Sequence, residues 1–242
     1  MKTTAPLLLA LALFTGGLRA EPITVVTEPW PPYVFAQEGQ LRGADYEVSQ
    51  QLLLELGYQP EWRLMPWKRA QYEVLAGHAD AILDIGINPE RQAQYYYPDE
   101  PLSTSESVLF YRINQPYPFT KLEDLRGRRI GVSAGYTYGN QAFVEADYLT
   151  REPCPSIENC LLMLQRGRID MALINRSVGR YTLKLMGMNG ITHHAEPLSG
   201  GPVYLAFARR PELADLANRF ADALRAFKQT ANYQQILQTY GL

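Results

Sequence analysis

The sequence predicts an α/β fold of two lobes, each a mostly parallel sheet covered by helices, joined by a two-strand hinge. Three observations carry that prediction. Apolar, β-branched stretches alternate with helical patterns, the rhythm of a parallel sheet. That rhythm restarts downstream, near Arg129. Two segments also echo each other, Gly77-His78-Ala79-Asp80-Ala81-Ile82-Leu83 and Gly167-Arg168-Ile169-Asp170-Met171-Ala172-Leu173. Each is a glycine at a helix end, an aspartate three residues on, and a buried-type strand.

The elements follow in order. Lys2, the apolar run Ala5 to Phe14, and Leu18-Arg19-Ala20 before the polar Glu21 read as a signal peptide over residues 1–20, too short for a spanning anchor. No cysteine follows the cut, so a soluble exported chain without a lipid anchor is expected. Ile23 to Val26 reads as a strand. Ala44 to Leu56 reads as a helix with Val48, Leu52 and Leu56 on one face and Gly57 as its stop. Trp62 to Leu64 is a short strand, Trp67 to Ala76 a helix and Ala81 to Leu83 a buried strand. Ser103 to Arg112 is extended and leads into a loop at Asn114 to Pro118.

In the second half, Arg129 to Val132 and Met171 to Ile174 read as strands. Helices are expected near Tyr138 to Ala146, Ile157 to Gln165 and Ser177 to Met186. Gly200-Gly201-Pro202 leads into an extended Val203 to Ala208, and helices at Pro211 to Lys228 and Tyr233 to Thr239 close the chain. The predicted lobes are therefore 21–106 with 203–242, and 107–202. Two crossings between lobes suit hinge closure on a ligand.

Composition narrows the function classes. Without Lys2 and Arg19, the 23 basic residues fall to 21 against 25 acidic ones, a net charge near −4. No basic excess is present to hold nucleic acid or an anionic membrane. Cys154 and Cys160 are the only cysteines. In an exported chain an even count favours a disulfide, and five intervening residues do not match the usual spacing of a metal pair.

Catalytic and cofactor motifs are missing: there is no Gly-x-Ser-x-Gly elbow, phosphate loop or Gly-x-Gly-x-x-Gly turn. No cofactor and no metal is expected. His193-His194 has no acidic ligand at a useful spacing and reads as a polar loop. Recognition chemistry is better supplied. Arg91 follows the Ala81 to Ile85 strand, where a parallel sheet opens its crevice and a guanidinium can hold a carboxylate bidentately; the position equally suits a plain helix-start arginine. The loop Gly131 to Thr137 offers backbone N–H groups to an anion, or is an ordinary tight turn. Trp30, Tyr33 and Trp67 are either cleft aromatics or packing.

Trp30-Pro31-Pro32-Tyr33 with Leu41-Arg42-Gly43-Ala44-Asp45-Tyr46-Glu47-Val48, then Asp80-Ala81-Ile82 through Pro89-Glu90-Arg91 and Tyr97-Pro98-Asp99-Glu100-Pro101-Leu102, and finally Leu122-Glu123-Asp124-Leu125-Arg126-Gly127-Arg128-Arg129-Ile130-Gly131-Val132, resemble the successive blocks of bacterial extracellular solute-binding proteins of family 3. The resemblance runs in order over nearly the whole mature chain. It implies a periplasmic-binding-protein fold that works as a monomer in the periplasm. Such a protein passes a polar, amino-acid-like ligand to an ABC permease or a sensor. It also implies ligand roles: Trp30 and Trp67 as an aromatic sandwich, Arg91 on the carboxylate, and Thr137 assisting it.

Three departures from the family pattern stand out. Asn175 replaces the acidic residue that receives the ligand's ammonium, and an amide is a weaker partner for that charge. Asp84 brings a carboxylate into a segment that is usually serine-rich. Tyr136 stands where a small residue is common and would narrow the pocket. Two other readings of the fold stay open. One is a periplasmic sensor or interaction module. The other is an exported enzyme similar to a cyclohexadienyl dehydratase acting on prephenate-like acids, with Glu28, Asp84 and Glu106 as candidate acids.

Overall fold

The computed structural model describes residues 20–134, 136 and 138–242. The expected signal peptide, Gly135 and Thr137 lie outside the described residues, Ala20 excepted.

The first half opens with β1 (Glu21–Thr27), the hairpin β2 (Phe35–Gln37) and β3 (Gln40–Arg42), and α1 (Ala44–Glu55). Then come β4 (Tyr58–Leu64), α2 (Trp67–Leu75), β5 (Ala81–Gly86), α3 (Pro89–Gln94), β6 (Tyr95–Tyr96) and β7 (Ser103–Arg112). A 3-10 turn at Leu122–Leu125 leads into β8 (Arg129–Ser133), α4 (Gln141–Glu145), β9 (Thr150–Cys154) and α5 (Ile157–Gln165). β10 (Met171–Asn175), α6 (Arg176–Leu185), β11 (Ile191–His193), β12 (Ser199–Ala208), α7 (Pro211–Phe227) and α8 (Ala231–Tyr240) complete the chain.

One curled sheet runs in the order β4-β1-β5-β12-β7-β10-β8-β9. Its flanks are parallel: β1 pairs with β4 and β5 at one end, β8 with β9 and β10 at the other. Its centre is antiparallel. β12 pairs with β5 through Val203 to Phe207 and with β7 through Ser199 to Val203. β7 then hands its far half, Ser107 to Phe110, to β10. These two long strands are the crossings between the parallel halves.

The apolar interior divides the same way. One core holds Val25, Val26, Leu52, Leu53, Ile82, Leu83, Phe207 and Phe220. The second half holds two further clusters, one around Phe110, Leu161 and Ile174 and one around Leu109, Ile130 and Phe143. Helix α1 enters the first core because Gly43 precedes it at φ 128°; a β-carbon there would lie 2.1 Å from the Tyr33 carbonyl oxygen, so no other residue fits.

The sequence echo has a structural meaning. Gly77 and Gly167 take left-handed φ of 79° and 70° and end α2 and α5, as helix-terminating glycines do. Asp80 Oδ2 then accepts the Thr24 N–H at 2.7 Å, and Asp170 Oδ2 the Arg129 N–H at 2.8 Å. Each aspartate clamps a backbone N–H of the neighbouring parallel strand, Thr24 in the middle of β1 and Arg129 at the start of β8.

Several boundaries differ from the expectations. The first short strand extends back to Tyr58, since it pairs residue for residue with β1. The helix expected from Tyr138 begins only at Gln141, because Asn140 caps it by accepting the Phe143 N–H at 2.9 Å and Gly139 ahead of it is left-handed. Strands β9 and β11 and helix α3 were not expected; they are short, and β9 mixes charged residues with a proline. Cys154 and Cys160 form a disulfide, buried beside Gly131 and tying the end of β9 to α5. Among the described residues no helix is long and apolar enough to cross a membrane.

Candidate functional site

A cavity of about 260 Å³ opens where the two halves face each other, lined from both. Five groups of residues supply its walls.

The end of β1 gives Thr27 and Glu28, and the turn after it gives Trp30, stacked on Tyr33 at 4.6 Å between ring centroids. Helix α2 gives Trp67 at its first turn, 7% exposed. The end of β5 gives Asp84, Gly86 and Ile87, and α3 gives Arg91. The crossing strands add Ser105 and Ser107 from β7, facing the Ser199 to Val203 stretch of β12. From the second half come Tyr136 and Tyr138.

Arg91 is 6% exposed, not a surface helix-start arginine. Its placement follows from local sequence: Asn88 accepts the Arg91 N–H at 2.8 Å and Pro89 occupies the first helical turn, an N-cap arrangement suited to a short helix. The guanidinium donates to Gly86 O at 3.1 Å and to Gln71 Oε1 at 3.2 Å, and lies 5.8 Å from the Trp67 ring centre. Of five donors in its fork, three are left for an anion.

Across the cavity, the Tyr136 hydroxyl donates to Glu28 Oε1 at 2.6 Å, and its ring meets Trp67 edge-on at 6.3 Å. This contact joins the second half to the first. Burial pushes the Glu28 carboxyl up to about 7, although the bonds from Tyr136 and from the Trp67 backbone pull the other way.

Asp84 sits where β5 bulges. Its φ is 62°, and the pairing of β5 with β12 slips between Tyr204 and Ala206, a disruption of the kind that re-aims side chains. Both Asp84 carboxyl oxygens are buried without an N–H or hydroxyl donor among the described residues, and the group within hydrogen-bonding reach is the Asp45 carboxyl, which can share a proton with Asp84. Burial first, and then the neighbouring Asp45 carboxylate, hold the Asp84 carboxyl well above the usual carboxylate range. Asp84 and Asp45 thus form a buried carboxyl pair whose surroundings favour holding a proton.

Asn175 takes a different place. It does not line the cavity. Its Oδ1 accepts the Val178 N–H at 3.0 Å, capping α6, and its Nδ2 donates to Ser105 Oγ at 3.1 Å. It acts on the cavity through Ser105, whose own hydroxyl hydrogen is left free to be donated. Thr137 lies outside the described residues. Glu106 is exposed and ion-paired with Arg176 at 3.0 Å, away from the lining. His193 and His194 pack beside Phe110, Tyr111 and Phe119, and no cluster of three metal-ligating side chains occurs among the described residues.

Sequence reasoning missed Thr27, Ser105, Ser107 and the Ser199 to Pro202 backbone. The available sign was the unbroken polar run Ser103-Thr104-Ser105-Glu106-Ser107 in a strand. A central strand carrying that many hydroxyls faces something other than a core.

Comparison with known proteins agrees with this geometry. The family model of bacterial extracellular solute-binding proteins, family 3, matches residues 23–242. The chain is similar to the ABC transporter arginine-binding protein 1 of Escherichia coli (strain K12), 25% identical over 234 residues covering 93% of each. It is also similar to the membrane-bound lytic murein transglycosylase F of Ectopseudomonas mendocina (strain ymp), 28% identical over 162 residues. That match covers 63% of this chain and only 33% of the relative, so the chain spans about a third of that protein. Among solved structures, a histidine kinase sensor domain with similarity to periplasmic binding proteins superposes with a TM-score of 0.81 at 23% identity. The superposition covers 92% of this chain and 96% of that one, which fixes the two-lobed fold.

Proposed function

The chain belongs to the bacterial extracellular solute-binding proteins, family 3, and on that footing we propose that it captures a small carboxylate-bearing, amino-acid-like ligand between its lobes and delivers it to an ABC permease. The observation that carries this reading is Arg91: a buried guanidinium held by Gly86 and Gln71 against Trp67, with donors to spare, in a cavity built from both halves. A bidentate bond to a carboxylate is what such a fork recognises. Trp30 and Trp67 give the ligand's apolar part a surface, Tyr136 covers it from the other lobe, and Ser105, oriented by Asn175, adds a hydroxyl. The lobes in this reading are 21–106 with 203–242, and 107–202; the division of the apolar core supports them. The protein works without a cofactor, as a monomer in the periplasm, after removal of residues 1–20.

The test is a thermal-shift screen of the mature protein against amino acids, small carboxylates and amines, repeated with Arg91→Ala. A ligand that binds only the folded state stabilises it by about 2.7 kcal/mol at a hundredfold excess over Kd. Hits that persist in Arg91→Ala would overturn the carboxylate reading.

Glu28 favours one alternative, an enzyme of the dehydratase kind. A cavity carboxyl that titrates near neutrality is suited to general acid catalysis. Turnover of prephenate or arogenate by the purified protein, lost in Glu28→Gln, would replace the binding reading. The sensor reading rests on the likeness to the kinase sensor domain. Loss of a signalling response on deletion, with uptake intact, would favour it.

A further inference from the structure

With Asn175 committed to capping α6 and to Ser105, the cavity lacks an anionic group on its second-lobe side for a ligand's cationic end. The first lobe has two carboxyl groups there, Glu28, already bonded to Tyr136, and Asp84. We propose that Asp84, backed by Asp45, is the anchor for a protonated ligand nitrogen, so that the protein selects ligands carrying an ammonium or guanidinium beside their carboxylate and releases a proton when it binds them.

Four observations support this. Asp84 and Arg91 line the same cavity from the end of β5 and from α3, giving a zwitterion an acid and a base in one lobe. Both Asp84 oxygens are buried and receive no N–H or hydroxyl donor among the described residues, only the neighbouring Asp45 carboxyl, and a buried carboxyl pair short of donors costs free energy that a ligand N–H donor would recover. The backbone of Asp84 is held at φ 62° at a break in strand pairing; left-handed backbone at a non-glycine residue is a strain found at binding sites. Asp45, 3% exposed on α1, stands behind it with its Oδ2 accepting the Ser103 hydroxyl at 2.6 Å.

The charged and titratable groups facing Asp84 define the proton balance. They are Asp45 on α1, Glu28 after β1, Tyr33 in the following turn, and Tyr136 from the second lobe; Arg91 lines the same cavity, and Lys228 acts on Asp45 from the end of α7. The negative neighbours, Asp45 and Glu28, keep the Asp84 proton in place in the free protein. A ligand cation reverses that balance: the ligand N–H donates to the Asp84 carboxylate, and the displaced proton leaves to solvent. Low pH therefore opposes binding, and affinity rises with pH until Asp84 ionises unaided. The inference rests on the carboxylate reading of Arg91 for the ligand's other end.

The experiment is titration calorimetry on the mature protein. The panel holds the common L-amino acids, carboxylate-only counterparts (propionate for alanine, glutarate for glutamate) and amine-only counterparts (agmatine for arginine). Runs at about pH 5.5 and about pH 8, in buffers of different ionisation enthalpy, count the protons. Expected are tightest binding by members with both groups, an affinity gain of about tenfold or more across that range, and up to one proton released. Asp84→Asn, which keeps the shape of the neutral acid and tolerates left-handed backbone, should melt like the parent, lose about tenfold or more in affinity and lose the pH slope. Asp45→Asn should flatten the pH slope, because the carboxyl that helps hold the Asp84 proton is gone. Equal binding of carboxylate-only members, a parent-like slope in Asp84→Asn, or no binding by any member would overturn the proposal. Loss in Asp84→Asn with no loss in Arg91→Ala would sink the carboxylate reading instead, so the two failures are distinguishable.

Discussion

The Tyr136 hydroxyl donates to Oε1 of Glu28 at 2.6 Å across the cleft, so one hydrogen bond ties a loop of the second lobe to the end of the first strand. The Glu28 carboxyl, raised by burial to about 7, binds its proton more tightly folded than unfolded. Its contribution to stability is therefore full below the unfolded value near 4.5 and is lost as pH rises through about 7. The expected loss is at most about 3 kcal/mol. Chemical denaturation of the ligand-free protein at a series of pH values should show this decline, and Glu28→Gln should flatten it.

Tyr136→Phe keeps the ring against Trp67 but removes the donor. The Glu28 carboxyl should then titrate higher than in the parent, because the bond that favours its charged form is gone. A carboxyl titration followed by NMR checks the direction; an unchanged value would mean the bond does not persist in solution.

Arg91→Lys should fail to restore binding. A lysine carries the charge but cannot span Gly86 O, the Gln71 amide and a ligand carboxylate at once. The expectation is an affinity loss of about tenfold or more with little change in melting temperature, measured by calorimetry. Gln71→Ala, which frees one guanidinium arm, should weaken binding by a smaller factor.

Asp80 and Asp170 hold equivalent positions in the two halves, each accepting a backbone N–H of the adjacent parallel strand. Replacing either by alanine should cost about 1–3 kcal/mol, the penalty of an unmet donor. Asp80→Ala should be the costlier, since Asp80 also makes a hydrogen-bonded ion pair with Arg210, whereas the ion pair of Asp170 with Arg129 is looser at 3.6 Å. Urea midpoints of the two variants decide this.

Reducing the Cys154–Cys160 bond should lower stability by about 2 kcal/mol, the loop-closure value for so short a span. The bridge joins β9 to α5 at the base of the second core and does not line the cavity. Ligand affinity measured in reducing buffer below the melting transition should therefore match that of the oxidised protein.

Much of this architecture is legible in the chain. Strong period and composition mark β1, β5, β8, β10 and the flanking helices, because each buries one apolar face against a sheet. The echo of Asp80 and Asp170 is legible too, since a helix-ending glycine and a clamping aspartate are local needs of the same turn. Arg91 could be singled out by its place after a strand end. The short strands β9 and β11 left no such trace, because their partners rather than their own residues make them strands.

The site divides along the same line. The sequence alone determined which groups are present: an arginine after β5, tryptophans at an opening turn and at a helix start, and an unusual aspartate, asparagine and tyrosine. Only the tertiary structure decided their tasks. Asn175 is turned to cap α6, Tyr136 reaches Glu28 more than a hundred positions away, and Asp84 is buried against Asp45 without an N–H or hydroxyl donor among the described residues. Burial and electrostatic neighbourhood are properties of the packed chain, set by which distant segments are forced together, and no local pattern of residues encodes them.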